Sequence, residues 1–179
     1  MKKVLLGLFF TVFTVLTGYG QQGRIDINAG VDFGLPVGSF GDVYGFGYGA
    51  TVKGLYGISE AGQVGLTLGY QRFGLKDSYD ENMSGSMGIS PVFAVYRHNF
   101  GGLYVEPQAG LSINSVSLKA SAGGMGFGGS ASNTSFGYAA GLGYIIGNID
   151  ISARYQGLTQ SGENLGFIGL RIGYSFGIK

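Results

Sequence analysis

Apolar and polar residues alternate with a period of two along most of this chain. The pattern is cleanest from Ile149 to Phe176. Ile149, Ile151, Ala153 and Tyr155 share one face of an extended segment, and Asp150, Ser152, Arg154 and Gln156 share the other. After a polar connection, Leu158 to Asn164, the alternation resumes with Ile168, Leu170, Ile172, Tyr174 and Phe176 opposite Phe167, Gly169, Arg171, Gly173 and Ser175. A helix would scatter these residues around its axis, so the spacing predicts a hairpin of two-faced strands.

The same reading predicts six earlier strands. They run over about Arg24 to Phe33, Gly45 to Gly57, Gln63 to Phe73, Met87 to Arg97, Leu103 to Asn114 and Ser135 to Ile146. The fourth has the weakest pattern, because Ser90 to Val95 is apolar on both faces and Pro91 removes a ladder donor. The stretches between strands, Gly34–Tyr44, Ile58–Gly62, Gly74–Ser86, His98–Gly102, Ser115–Thr134, Gly147-Asn148 and Leu158–Asn164, alternate long and short. The Gly/Ser-rich stretch from Ser115 to Thr134 reads as a mobile surface loop that presents Met125 and Phe127 to a partner or to the membrane surface.

Composition decides which face meets which solvent. Charged residues make up 12% of the chain, against about 25% in an ordinary soluble domain. Gly accounts for 37 of 179 residues and Cys for none, which excludes disulfides and thiolate metal sites. A soluble barrel needs an exterior dense in Lys and Glu, whereas the polar face here is mostly Gly, Ser, Thr, Asn and Gln. Small side chains suit the crowded lumen of an eight-stranded barrel. The other face carries Leu, Ile and Val, with Tyr and Phe near the strand ends, as expected where a barrel crosses a bilayer.

Lys2 and Lys3 precede an apolar run, Val4 to Leu16, and Gly18-Tyr19-Gly20, which predicts an export signal over residues 1–20 and a mature domain over 21–179. Without Lys2 and Lys3 the chain has 9 basic and 10 acidic residues, a balance that offers nothing to nucleic acid. The expected fold is therefore all-β: an eight-stranded antiparallel up-and-down transmembrane β-barrel, with both termini and the short turns on the periplasmic side.

The segments Leu103-Tyr-Val-Glu-Pro-Gln-Ala-Gly110, Gly141-Leu-Gly-Tyr144 and Arg171-Ile-Gly-Tyr-Ser-Phe176 resemble those of small Gram-negative outer-membrane β-barrel proteins. The likeness is to the broad group of the outer membrane protein X and the OmpA transmembrane domain, of the Bacteroidetes type. The resemblance implies a bacterial outer-membrane location, contact with outer-membrane lipid and lipopolysaccharide, and a monomer. It also implies that Tyr174 and Phe176 form the terminal aromatic signal read by the barrel-assembly machinery, although here Gly177-Ile178-Lys179 follow.

Candidate chemistry is sparse. Asp26, Asp32, Lys53, Glu106, Asp150, Arg154 and Arg171 fall on the lumen face, and buried charges need partners, so an ionic network is expected in which Glu106 meets Arg154, Arg171 or Lys53. The only histidine, His98, falls at a periplasmic turn and reads as a solvated residue, away from where an outer-leaflet acyl chemistry would need it. Asp77, Asp80 and Glu81 lack the spacing of a calcium loop, though they could bridge lipopolysaccharide through divalent ions. Gly124 to Gly129 matches a dinucleotide fingerprint without its strand–helix context. The expectation is no catalysis, no cofactor and no metal, with a structural or surface-interaction role exercised through the extracellular loops. A narrow porin-like pore, favoured by the many lumen glycines, is the first alternative, and a soluble lipocalin-like carrier of an apolar ligand the second.

Overall fold

Strands with one apolar and one small polar face satisfy every backbone group in a membrane only by closing into a ring. The computed structural model, which describes residues 23–76, 83–122, 125–160 and 163–178, is such a ring. The strands are β1 (Ile25–Val37), β2 (Tyr44–Gly57), β3 (Gly62–Leu75), β4 (Met83–Phe100), β5 (Leu103–Ala122), β6 (Met125–Ile146), β7 (Ile149–Gln160) and β8 (Glu163–Ile178). Each pairs antiparallel with the next, and β1 pairs back with β8 from Ile25↔Ile178 to Val37↔Gly166. A five-residue helix, α1 (Ser39–Val43), joins β1 to β2. The export signal expected over residues 1–20, and the acidic residues Asp77, Asp80 and Glu81, lie outside the described residues.

The two faces fall as the alternation predicts. Val31, Val52, Leu66, Leu68, Leu111, Leu142, Ile151, Leu170 and Ile172 all point outward and are exposed, while Asn28, Thr51, Thr67, Gln71, Ser112 and Gln156 are buried in the lumen. Above and below the aliphatic band lie outward aromatic rings. Phe33, Phe46, Tyr48, Tyr70 and Phe136 stand toward the end where the strands are joined by the longer connections, here the loop end. Tyr96, Phe100, Tyr144, Tyr174 and Phe176 stand toward the opposite, turn end. Two belts of rings bracketing an aliphatic band are the outer surface of a bilayer-spanning barrel. In β4 the two apolar faces resolve: Met87, Ile89, Phe93 and Val95 fill the lumen, while Val92 and Tyr96 face out.

The strands run further than the sequence predicts. The stretch from Ser115 to Thr134 is largely ladder rather than loop, and the β5–β6 register continues unbroken from Leu103↔Tyr144 to Ala122↔Met125. Gly and Ser have poor strand propensity, but a ladder already in register extends at little further entropic cost. β6 has 22 residues where about 9 to 11 cross a bilayer, so this ribbon stands well beyond the apolar band. Its outward face changes where it leaves that band, from Leu111, Ile113 and Phe136 to Ser115, Ser117, Ser130, Ser132 and Thr134. The expected loops at Gly34–Tyr44 and Leu158–Asn164 also shrink. β1 continues to Val37 before α1, and β7 and β8 pair as far as Gln160↔Glu163.

Candidate functional site

The lumen is the only place where the fold gathers buried charge among the described residues, and it is layered. At the loop end, α1 tips Phe40 into the barrel mouth, where it meets Phe73 at 5.1 Å between ring centroids, and Phe73 meets Phe167 at 5.0 Å. Met87, Ile89 and Leu158 complete this apolar cap. Gly38, at φ 60°, makes the turn that sends β1 into α1, and the Lys76 backbone N–H then donates to the Val43 carbonyl at 3.0 Å, fastening the far side of the helix. The Lys76 ammonium also donates to the Gly41 carbonyl.

Beneath the cap lies a first ionic layer. Asp32 accepts from the Thr51 hydroxyl at 2.7 Å and pairs with Arg154 Nη2 at 2.9 Å. Arg171, opposite Asp32 in the β1–β8 register, donates through Nε to Thr51 Oγ1 at 2.7 Å. A second layer lies toward the turn end. Glu106 pairs with Lys53, accepts from Arg97 Nε at 2.7 Å and accepts from Gln108 at 2.7 Å. Arg97 also reaches Asp150 at 3.1 Å, and Asp150 accepts from Asn28 at 3.0 Å and from the Tyr104 hydroxyl at 2.5 Å. The Arg97 guanidinium lies 3.8 Å from the Tyr104 ring centroid, a cation–π contact that covers the face its hydrogen bonds leave open. Below this layer a vestibule of about 510 Å³ opens at the turn end, lined by Arg24, Asp26, Glu60, Gln63, Arg97 and Asn99.

Of the seven charges expected in one network, the structure places six in these layers. Glu106 meets Lys53 but neither Arg154 nor Arg171; those two arginines gather around Asp32 instead, with Arg171 3.9 Å from Asp150. Asp26 stands apart at the mouth, paired with Arg24 and Gln63. The residue absent from the sequence reading is Arg97, which among the described residues is the one side chain seen to bridge Glu106 and Asp150. One signal could have found it: an outward position would have put a guanidinium against lipid, which fixes the phase of β4 despite its two apolar faces.

Two further expectations change. His98 is not in a solvated turn but on β4, with Nδ1 3.0 Å from the Tyr96 hydroxyl and its ring 4.6 Å from that of Phe100, part of the turn-end aromatic belt. Three of the lumen glycines sit against large side chains. A Cβ at Gly47 would lie 2.3 Å from the Phe73 ring, at Gly143 2.3 Å from Tyr104, and at Gly137 2.6 Å from Phe93, so a large side chain occupies the space beside each. Tyr174 and Phe176 sit on the outward face of β8 with ring centroids 4.8 Å apart, next to the seam with β1. Among the described residues no cluster of His, Cys, Asp and Glu has the composition of a metal site.

No protein-family model matches the sequence, and no curated protein matches it. Solved structures do. The attachment invasion locus protein Ail of Yersinia pestis aligns over 87% of this chain and 100% of its own at 19% identity and a TM-score of 0.60. The N-terminal β-barrel domain of Pseudomonas aeruginosa OprF aligns over 87% and 100% at 18% identity and 0.54. Neisserial surface protein A aligns over 86% and 97% at 18% identity and 0.51. The closed ring and the eight antiparallel strands in sequence order thus have the architecture of the small outer-membrane barrels.

Proposed function

We propose that this protein is a bacterial outer-membrane barrel with a closed lumen, and that it works as a structural and surface-interaction element rather than as an enzyme. The observation that carries this reading is the apolar cap of Phe40, Phe73, Met87, Ile89, Leu158 and Phe167, which fills the loop-end mouth above two layers of ion pairs. Among the described residues these layers fill the cross-section of the lumen, which opposes a continuous aqueous path. The aliphatic band between two aromatic belts supports insertion in a bilayer with outer-membrane lipid and lipopolysaccharide around it. Export through the leader, docking of Tyr174 and Phe176 on the assembly machinery, and a monomeric state belong to the same reading.

The interacting surface is the projecting β5–β6 ribbon. The β6–β7 ladder stops at Phe136↔Thr159, so β6 above that point has no ladder partner on its β7 side among the described residues. An uncovered edge accepts an extended segment by strand addition, with the backbone supplying affinity. Ail has been solved with the heparin analogue sucrose octasulfate. In this chain Ser115 to Thr134 carries one charge, Lys119, which is too little basic character for a polysulfated ligand and favours a polypeptide partner.

Single-channel recording in planar bilayers tests the closed lumen. The wild-type barrel is expected to show no discrete conductance, and replacing both Phe40 and Phe73 by Ala to introduce one. Steady conductance of the wild type would favour the porin-like alternative.

A further inference from the structure

The buried charges of the lumen do not balance. Among the described residues the fully enclosed cations are Lys53, Arg97, Arg154 and Arg171, and the enclosed carboxylates are Asp32, Glu106 and Asp150. Asp26 does not make up the difference, because it lies at the mouth with its side chain 17% exposed and is engaged by Arg24. Toward the turn end Lys53 and Arg97 face Glu106 and Asp150, beneath the cap Arg154 pairs with Asp32, and Arg171 lies between the two layers, opposite Asp32 in the register and 3.9 Å from Asp150.

Around Arg154 there are unmet hydrogen-bond donors. Arg154 Nε and Gln156 Nε2 are buried with no hydrogen-bond partner in the protein, on side chains that are 6% and 2% exposed, whereas Arg171 Nη1 lies toward Asp150. Gln156 stands two residues from Arg154 on the lumen face of β7, and Gly169 pairs with Arg154 across β7 and β8. A Cβ at Gly169 would come within 3.4 Å of Arg154 Nε, so the glycine leaves that donor uncovered. A lysine in this position could lose its proton and become neutral; a guanidinium cannot. An enclosed excess arginine therefore needs a counter-charge from outside the chain.

We propose that a monovalent anion of chloride size occupies the lumen beneath the apolar cap, held by Arg154 and Gln156. The ion neutralises the one excess positive charge of the lumen and accepts from donors that the protein leaves free. Asp32, paired with Arg154, limits the site to a single negative charge, since a divalent anion would face an uncompensated carboxylate. The site does not depend on whether the lumen conducts.

Crystals of the refolded barrel grown in bromide are expected to give one anomalous peak within hydrogen-bonding reach of Arg154 Nε. In detergent, the wild type is expected to melt several degrees higher in chloride than in gluconate at equal ionic strength, because only an ion bound to the folded state raises stability by mass action. Arg154→Gln removes the excess cation, keeps an amide donor, and is expected to melt at the same temperature in both salts. If that variant does not fold, the bromide map of the wild type decides alone. Ordered water in place of bromide at Arg154, or a chloride dependence that survives in Arg154→Gln, would overturn the proposal.

Discussion

The two ends of the lumen solve the same packing problem with opposite chemistry. At the loop end, rings and aliphatic chains from α1, β3, β4, β7 and β8 close the mouth by dispersion and burial, with no charge in the cluster. Toward the turn end, Lys53, Arg97, Glu106, Asp150 and Tyr104 fill a similar cross-section with ion pairs and short hydrogen bonds. The difference lies in how each tolerates error. An apolar layer loses contacts in proportion to the atoms removed, whereas an ionic layer with one member deleted leaves its partner buried and unpaired. The ionic layer also fixes register, because a slip of one residue would turn its charges into lipid.

That contrast orders the expected effects. Glu106→Gln leaves Lys53 and Arg97 facing one carboxylate, Asp150. It should lower stability by about 3–5 kcal/mol, read as a lower urea midpoint of the folded barrel in detergent. Replacing Lys53 by Met together with Glu106 by Leu should recover part of that loss, since it removes the ion pair as a unit and leaves Arg97 matched by Asp150, while Arg97 Nε and Gln108 still lose their acceptor. Phe73→Ala, which removes the ring shared by Phe40 and Phe167, should cost roughly 3 kcal/mol and raise ion leakage in the same bilayer assay, unlike an ionic-layer variant of equal stability. Gly143→Ala overpacks against Tyr104 and should cost about 1–3 kcal/mol, without opening a path. Ser117→Ala and Ser132→Ala, on the outward face of the ribbon beyond the apolar band, should change the midpoint by less than about 0.5 kcal/mol. Equal losses at Glu106 and Ser117 would erase the distinction between lumen and ribbon.

The faces of the strands were legible because lipid and a narrow lumen make incompatible demands on successive residues, as at Arg154 and Tyr155 or Leu170 and Arg171. The lengths of the strands were not. From Ser115 to Ser132 the alternation loses contrast once the outward side faces water, and Gly and Ser then read as loop although the ladder continues. Phe40 was hidden for a different reason: its burial depends on α1 folding back over the mouth, a tertiary event with no period in the sequence. Arg97 was masked by its neighbours, since Phe93 and Val95 share its face and leave β4 without a polar side to mark the lumen.

The role of every layer in this barrel depends on which of its surfaces touches hydrocarbon. Nitroxides attached in turn at Leu142, Ile151 and Leu170, and at Ser117 and Ser132 on the ribbon, can be challenged in bilayers with oxygen and with a water-soluble nickel chelate. The account predicts strong oxygen and weak nickel relaxation at the first three sites and the reverse at the two serines. Nickel access at Ile151 and Leu170 equal to that at Ser132 would contradict it.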